Sequence, residues 1–530
     1  MLKNSLGEEM MTIAQINISN MSFQYDTHGE DIFKDVSFCI DTDWKLGLVG
    51  RNGRGKTTFL KLLLGEYEYS GKIISPVQFE YFPLEVTDKK QVALEVVRHA
   101  IAPFTMWEKQ MEEALHDEGM ESYGKVLEQY VACDGYVINE MIEKEVRKMG
   151  LEPNILTRTF ETLSCGEQAK LLLIALFLKK NAFLLIDEPT NHLDAEGRES
   201  VAKYLESKKG FILVSHDRTF LDKIINHVLS INKANIEIQK GNFSTWQLNK
   251  ERQDEFEKAE HEKLQKDIKR LQVAAKQKVG WSHQVEASKI GNGSCDRGFI
   301  GHKAAKMMKR AKSLETRQNK AIEEKSKLLK NLDTVEKLNL VSEEKGGEVL
   351  EVQDLQIKYD NQALFDSLSF KLNQGERVWL RGKNGCGKSS IIKLLIGEAI
   401  PYTGAIRKTN KISYISQDTS YLQGRIDDFA REEGVEGEQL KNVLYKLGTP
   451  RSQFEKEIEA WSQGQKKKLL IAKSLCEKAE LYIWDEPLNF IDVISRMQIE
   501  ALLLSKRPTM LFVEHDYSFG EKIATQIIQL

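Results

Sequence analysis

The same glycine-rich loop occurs twice in this chain of 530 residues, and a matching train of shorter motifs follows each copy. The first copy runs Gly50-Arg51-Asn52-Gly53-Arg54-Gly55-Lys56-Thr57, with Thr58 next. The second runs Gly382-Lys383-Asn384-Gly385-Cys386-Gly387-Lys388-Ser389, with Ser390 next. Glycines at these positions let successive backbone N–H groups converge on phosphate oxygens at the positive end of the following helix. In that arrangement Lys56 and Lys388 reach the β- and γ-phosphates of a nucleotide, and Thr57 and Ser389 offer a hydroxyl to Mg²⁺. The repeat therefore dictates two tandem α/β nucleotide-binding domains before any other feature is read.

The surrounding pattern agrees. Residues 46–49 form a short apolar run into the first loop, and 57–64 read as the helix that leaves it. Residues 183–186 (FLLI) and 211–214 (FILV) are continuous apolar runs, as in parallel strands buried on both faces. Residues 378–380, 481–484 and 510–513 echo them in the second half. Strands alternating with helices predict a parallel α/β core in each half.

The spacing of the repeat locates an insertion. Lys56 and Lys388 are 332 positions apart, whereas Ser164 and Ser462, like Glu188 and Glu486, are 298 apart. The first half thus carries 34 extra residues between its loop and Ser164, and the helical pattern within about 97–148 predicts an inserted arm. The expected domains are 12–246, a helical hairpin over 247–343, and 348–530. Residues 249–278 and 302–333 carry the helical pattern, and the five glycines of 279–301 mark the tip. About 30 helical residues reach roughly 45 Å, far more than a linker needs.

Composition narrows the class. No run of about 18 apolar residues is present, so no transmembrane helix is predicted. The first residues carry no signal-peptide pattern, and six cysteines without C-x-x-C pairs fit a reducing, cytoplasmic setting with neither disulfides nor zinc. The net charge of −3 hides an asymmetry: residues 263–320 hold 15 Lys/Arg against 4 Asp/Glu, which leaves −14 for the rest. Such a segment points to a polyanion contact, although the charge by itself could merely solvate a long helix pair.

Further motifs carry chemistry. Asp187-Glu188 and Asp485-Glu486 each end an apolar run, which places carboxylates at the ligand-binding edge of an α/β sheet. There the aspartate can order Mg²⁺ and the glutamate can polarise an attacking water. His216 and His515 follow later apolar runs at matched positions, as γ-phosphate contacts would. Tyr25 and Tyr359 precede their loops by similar distances and suit stacking on adenine, with core packing as the alternative.

Leu163-Ser164-Cys165-Gly166-Glu167 and Trp461-Ser462-Gln463-Gly464-Gln465 resemble the LSGGQ signature of ABC ATPases. With the loops, acidic pairs and histidines, that resemblance spans both halves. The string EPTNHLD at 188–194, two cassettes on one chain and a helical-hairpin linker resemble the ABC-F subfamily, and the basic linker its ribosome-protection branch.

The resemblance implies two ATP sites formed head to tail. One uses Lys56, Thr57, Asp187, Glu188 and His216, closed by Ser462 and Gly464 with Gln465 behind them. The other uses Lys388, Ser389, Gln417, Asp485, Glu486 and His515, closed by Ser164 and Gly166 with Glu167 behind them. Gln417 stands where the family places a Mg²⁺ ligand that also orients water. The implied cofactors are ATP and Mg²⁺, and the implied partner is the 70S ribosome, through 23S rRNA and the P-site tRNA. The chain is expected to act as a cytoplasmic, ribosome-associated monomer without DNA or membrane partners. The implied task is ATP-dependent binding at the tRNA exit site with displacement of peptidyl-transferase antibiotics of the lincosamide, streptogramin A or pleuromutilin type. The alternatives are a housekeeping translation factor that relieves stalled ribosomes, and the ATPase subunit of a transporter. Three departures stand out: Leu84 occupies the first half's equivalent of Gln417, and Cys165 and Gln463 replace the first signature glycine. Unequal turnover at the two sites is the expectation that follows.

Overall fold

The computed structural model describes residues 14–25, 31–116, 120–191, 193–232, 235–257, 338–340, 346–359, 362–383 and 385–530, with isolated helical positions between 259 and 320. The described residues fall into two compact units, one holding both nucleotide-binding halves and the other spanning 232–235 and 244–334. In the second unit residues 244–257 are helical. The expected tip at 279–301, and most of both expected hairpin helices, lie outside the described residues.

The first half is built on six strands in the order β5-β6-β7-β3-β8-β9: Gln78–Phe82, Ala182–Asp187, Phe211–Val214, Lys45–Val49, His227–Ile231 and Ile236–Lys240. All neighbours run parallel except β8 and β9. The second half has five parallel strands in the order β15-β16-β17-β13-β18: Ile412–Ile415, Leu481–Asp485, Met510–Val513, Arg377–Arg381 and Gln526–Gln529. The apolar runs are buried as their composition requires: Phe183, Leu184, Leu185 and Ile186 of β6 are all almost fully inaccessible. Burying each such side chain stabilises by roughly 1.5–3 kcal/mol.

Each half also carries an antiparallel sheet that the sequence reading did not anticipate. In the first it is β2-β1-β4 (Asp31–Asp41, Gln15–Gln24, Ser70–Ile74). In the second, β10 (Glu348–Tyr359) pairs with β11 (Gln362–Ala363), β12 (Leu368–Asn373) and β14 (Tyr402–Lys408). These sheets pack over the helix that follows each loop, α1 (Lys56–Leu64) in the first half, through Ile16, Ile18 and Phe33 against Phe59 and Leu63.

The extra residues of the first half are α3 (Phe104–His116) and α4 (Met120–Ala132), which pack on each other. They stand between α2 (Ala93–Ile101) and α5 (Ile138–Lys148). In the second half only α10 (Ile426–Glu432) and α11 (Gly437–Lys446) occupy this stretch. Residue 93 lies 333 positions before 426, and 148 lies 298 before 446, so the first half's extra length falls between these points, where α3 and α4 stand. Among the described residues no helix is long and apolar enough to cross a membrane.

One buried cluster fixes α5 to the cassette. Glu145 accepts from Lys148 Nζ at 2.7 Å, from Tyr204 OH at 2.8 Å, and from Lys208 Nζ. Burial alone would raise the Glu145 carboxyl, but these donors hold it at about 2. A carboxylate depressed in the folded state contributes stability above its unfolded value, and that contribution is lost as pH falls through the folded value. Glu145→Gln is therefore expected to lower stability by about 2 kcal/mol at pH 7. The gap from the parent closes between about pH 4.5 and pH 2. Thermal midpoints of both proteins across that range check it.

Candidate nucleotide sites

Both phosphate loops leave the C-terminal end of a central strand, β3 or β13, and run into a helix, α1 or α9 (Lys388–Ile396). The residue before each helix, Gly55 or Gly387, sits at φ 90° or 101°, and a Cβ at Gly55 would come within 2.7 Å of Ile32. Only glycine meets both demands. Gly53 and Gly385, also at positive φ, complete the turns, and a Cβ at Gly50 would lie 3.1 Å from the Ile231 carbonyl oxygen. Asn384 lies outside the described residues.

The two lysines face inward along their loops. Lys56 Nζ donates to Gly50 O at 2.7 Å and to Asn52 Oδ1 at 3.2 Å, and Lys388 Nζ donates to the carbonyls of Gly382 and Lys383 at 2.9 and 2.8 Å. Thr57 Oγ1 donates to Asp187 Oδ2 at 3.3 Å, and Ser389 bonds the Asp485 carboxylate in the same way. Thr58 shares a 2.9 Å hydrogen bond with the Tyr25 hydroxyl, whose ring packs edge-on against Phe23 and Tyr67. Tyr25, half-buried, therefore sits in an aromatic cluster, while the Tyr359 side chain lies outside the described set.

Each acidic pair ends its strand in a strained turn. Glu188 and Glu486 adopt φ 51° and 48°, in the left-handed region that non-glycine residues seldom occupy. Their N–H groups donate to Val214 O and Val513 O, both at 3.0 Å, which holds the backbone there. Strain of this kind costs on the order of 1–3 kcal/mol and clusters at functional sites. Burial raises Asp187, and burial with Glu486 alongside pushes Asp485 up to about 6.

The two glutamates have unequal surroundings. Glu486 Oε2 accepts from Gln417 Nε2 at 2.8 Å and Asn489 Nδ2 at 2.7 Å, and Oε1 lies 2.9 Å from His515 Nε2. Burial would raise its carboxyl, but His515, Lys467 and Asn489 hold it below the ordinary value. Glu188 has His216 Nε2 at 3.3 Å, yet its Oε1 makes no hydrogen bond. Burial, with Asp187 beside it, pushes that carboxyl up to about 8. His216 is held well below its ordinary value by burial and by the charges of Lys56 and Arg496, so its ring is neutral.

Each signature begins a helix, α6 (Cys165–Leu178) or α12 (Gln463–Cys476). Ser164 caps α6 by accepting from Glu167 N–H, and Glu167 returns a bond to the Ser164 N–H at 2.8 Å. Ser462 and Gln465 repeat this capping box. The S-x-x-E/Q spacing was its signal.

The halves meet head to tail at the first loop. A Cβ on Gly464 would lie 2.6 Å from Asn52 Nδ2 and 2.5 Å from Phe490 O, so a bare glycine is required where the second signature meets that loop. Asn52 Nδ2 donates to Phe490 O at 2.8 Å, and the Asn52 N–H donates to Asp492 Oδ2 at 3.2 Å. At the second loop the counterparts of Asn52 and Phe490, Asn384 and His192, lie outside the described residues. A cavity of about 610 Å³ opens there, lined by Lys388, Ser389, Ser390, Gln417, Glu486 and His515 from its own half. The first half reaches it through Asn191, Leu193 and Arg198, with Arg198 Nη1 donating to His515 O at 3.3 Å. Ser164 and Gly166 are not among the described residues lining this cavity; Ser164 and Cys165 are exposed, as Ser462 and Gln463 are at the first loop. The first loop is seated against its opposite signature.

The residues fit ATP and Mg²⁺. The cavity is of ligand size, and Asp485 Oδ1 is buried without a hydrogen bond, as an oxygen awaiting a cation would be. Among the described residues no cluster of three or more His, Cys, Asp and Glu side chains is poised for a metal. One carboxylate and one hydroxyl completed by phosphate oxygens are what Mg²⁺ takes.

Among the residues at these sites that escaped the sequence reading, three make buried or catalytic-edge contacts. Tyr81 OH donates to Asp187 Oδ2 at 3.1 Å, and Asp492 and Lys467 enter through buried contacts. For Asp492 a signal existed, an aspartate just before a helix, as helix caps are.

A family described as ABC transporter matches residues 33–191 and 365–489. The "Putative ATP-binding protein YdiF" of Bacillus subtilis is 30% identical, over 98% of this chain and 80% of its own. The "Ribosome protection protein VmlR" of Bacillus subtilis is 25% identical, over 96% and 85%. The "Energy-dependent translational throttle protein EttA" of Haemophilus influenzae is 26% identical, over 94% and 88%. Among solved structures, the archaeal ribosome recycling factor aABCE1, in complex with the stalk protein aP1, aligns with TM-score 0.58 at 17% identity, covering 96% of this chain and 87% of its own. That last likeness speaks for the fold.

Proposed function

We propose that this chain, which belongs to the ABC-F family of ABC ATPases, uses ATP binding and hydrolysis to act on the ribosome. The observation that carries the ATP-driven part is the seating of Gly464 and Phe490 on Asn52, which joins the phosphate loop of one half to the signature of the other. Loop amides with Lys56 or Lys388 hold the phosphates, and Thr57 with Asp187, or Ser389 with Asp485 and Gln417, hold Mg²⁺. Bound Mg²⁺ neutralises charge on the β- and γ-phosphates. Glu188 and Glu486 orient and polarise water, and His216 and His515 steady those carboxylates. Ser462 with Gly464, and Ser164 with Gly166, complete the two sites from the opposite half. ATP favours the closed pairing of the halves through contacts made by its γ-phosphate, and this closure is the stroke that ATP drives.

The ribosomal part rests on the relatives' printed roles and on the basic segment 263–320. Basic helices engage RNA backbones by charge, with little sequence reading. The finer reading is ribosome protection: binding at the tRNA exit site, in contact with 23S rRNA and P-site tRNA, and displacement of antibiotics from the peptidyl-transferase centre. The translational throttle protein among the relatives favours a second reading, a housekeeping translation factor without a drug role.

Sedimentation with 70S ribosomes tests the common premise. Glu188→Gln combined with Glu486→Gln is expected to stay bound to ribosomes in ATP, because water polarisation is lost while phosphate binding is kept. Enrichment no greater than the parent's would overturn the ribosomal reading. A susceptibility panel of lincosamides, streptogramin A and pleuromutilins then separates the two roles: unchanged susceptibility with intact ribosome binding selects the housekeeping factor.

A further inference from the structure

Lys467 is a charged side chain in an unexpected place. It sits in the second turn of α12, in the run Lys466-Lys467-Lys468, yet is only 2% exposed. Its ammonium group donates to Ser416 O at 2.8 Å and to Glu486 O at 3.3 Å. Ser416 immediately precedes Gln417, whose side chain bonds the Glu486 carboxylate. One buried cation thus ties together the signature helix, the loop that carries Gln417, and the strained backbone of Glu486.

The first half lacks this device at every corresponding position. With the 298-residue offset that holds after the inserted arm, Ala169 stands in place of Lys467; before it the offset is 333, and Leu84 stands in place of Gln417. Asn191 corresponds to Asn489 and, like it, lines the cavity at the second loop, where Asn489 donates to Glu486. Glu188 Oε1 is left without a hydrogen bond.

We propose that Lys467 is a positioning residue that locks Gln417 and Glu486 into one rigid unit, making the second site the fast hydrolytic site and leaving the first to hold nucleotide. The inference rests on the reading of these loops as ATP sites. Burying an ammonium group is costly unless hydrogen bonds compensate it, so a lysine retained here has to be held by the two carbonyls it joins. Small errors in the placement of a water-orienting group are expensive: about 1 Å can cost roughly 100-fold in rate. Lys467 acts on kcat through placement: its own hydrogen bonds are both to backbone carbonyls, while it also lines the cavity and its charge acts on Asp485 and Glu486.

The experiment uses the full chain with one site silenced. In a Glu188→Gln background, Lys467→Met is expected to lower kcat about 10- to 100-fold. Affinity for a fluorescent ATP analogue, measured at equilibrium without turnover, stays within about twofold, as for an interaction realised only in the transition state. Amide hydrogen exchange in 416–420 and 486–490 is expected to speed up, and Lys467→Gln, which keeps an N–H donor group, should recover part of the rate. Unchanged kcat and exchange would overturn the proposal. Should Lys467→Met fail to fold, the reverse graft decides: Leu84→Gln with Ala169→Lys in a Glu486→Gln background is expected to raise turnover at the first site several-fold. A folded graft with no gain counts against the proposal. Equal losses from Glu188→Gln and Glu486→Gln, each made alone, would refute the division of labour while leaving the ATP sites standing. No loss from either would instead remove the reading of the loops as ATP sites.

Discussion

Glu486→Gln lowers steady-state ATP turnover by about 10²- to 10⁴-fold, the range expected when a positioned general base is lost. The substitution keeps size and shape, so the turn at φ 48° and the backbone bond to Val513 O are preserved. What changes is the acceptor. An anionic oxygen that can draw a proton from water becomes an amide that cannot, while His515, Asn489 and Gln417 remain within reach. The phosphate loop is untouched, so affinity for a fluorescent ATP analogue should stay within a few-fold of the parent's. Phosphate release and equilibrium binding, measured side by side, separate the two effects. A parallel collapse of binding would mean that Glu486 holds the cavity open and does not activate water. Glu188→Gln is expected to cost much less, because its carboxyl lacks the donors that fix Glu486.

The parts of these sites that were legible in the sequence are those in which a local rule acts. The phosphate loops announce themselves because left-handed glycines have few substitutes, and the strand and helix around each follow in fixed order. Residues 211–214 and 510–513 coincide with β7 and β17 because continuous apolar runs have nowhere to go but a sheet buried on both faces. The two capping boxes follow from the S-x-x-E/Q spacing, and the change in repeat offset isolates α3 and α4.

The parts that were hidden depend on register or on partners distant in the chain. Tyr81 reaches Asp187 only because β5 pairs with β6 in a register that sets Phe82 against Ile186. Three consecutive lysines at 466–468 look like a solvated helix face, yet two of them are buried, since both sides of α12 are covered. The left-handed backbone of Glu188 and Glu486 leaves no mark in residue type, because glycine is absent just where the conformation would favour it. The antiparallel sheets escaped for a related reason: β2 carries charges at both ends and only intermittent buried positions, so its alternation is weak.

Asp492→Ala should cost the most stability of any single change considered, about 3–5 kcal/mol, the usual price of leaving a buried charge without its partner. Asp492 is fully buried; Oδ2 accepts from Lys468 Nζ at 2.6 Å, Ser495 Oγ at 3.0 Å and the Asn52 N–H at 3.2 Å. Oδ1 caps α13 (Val493–Lys506) by accepting from the Ser495 N–H at 2.8 Å. Burial would raise this carboxyl, but the Lys468 and Lys56 charges hold it well below the ordinary value, so the stabilisation is fully present at neutral pH. Alanine leaves the Lys468 ammonium, itself 1% exposed, with the Leu447 carbonyl and no counter-charge. Of the total, the lost cap accounts for about 1 kcal/mol. For a domain of this size the loss corresponds to a fall of roughly 10 °C in the thermal midpoint. Lys468→Met combined with Asp492→Asn tests the cause, because it removes both charges, keeps an acceptor for the cap, and should restore most of the loss. If the double variant is as unstable as Asp492→Ala, the cap or the contact with Asn52 carries the energy and the ion pair does not. Either result bears on the nucleotide sites, because the same carboxylate that holds α13 in place also bonds the first phosphate loop of the opposite half.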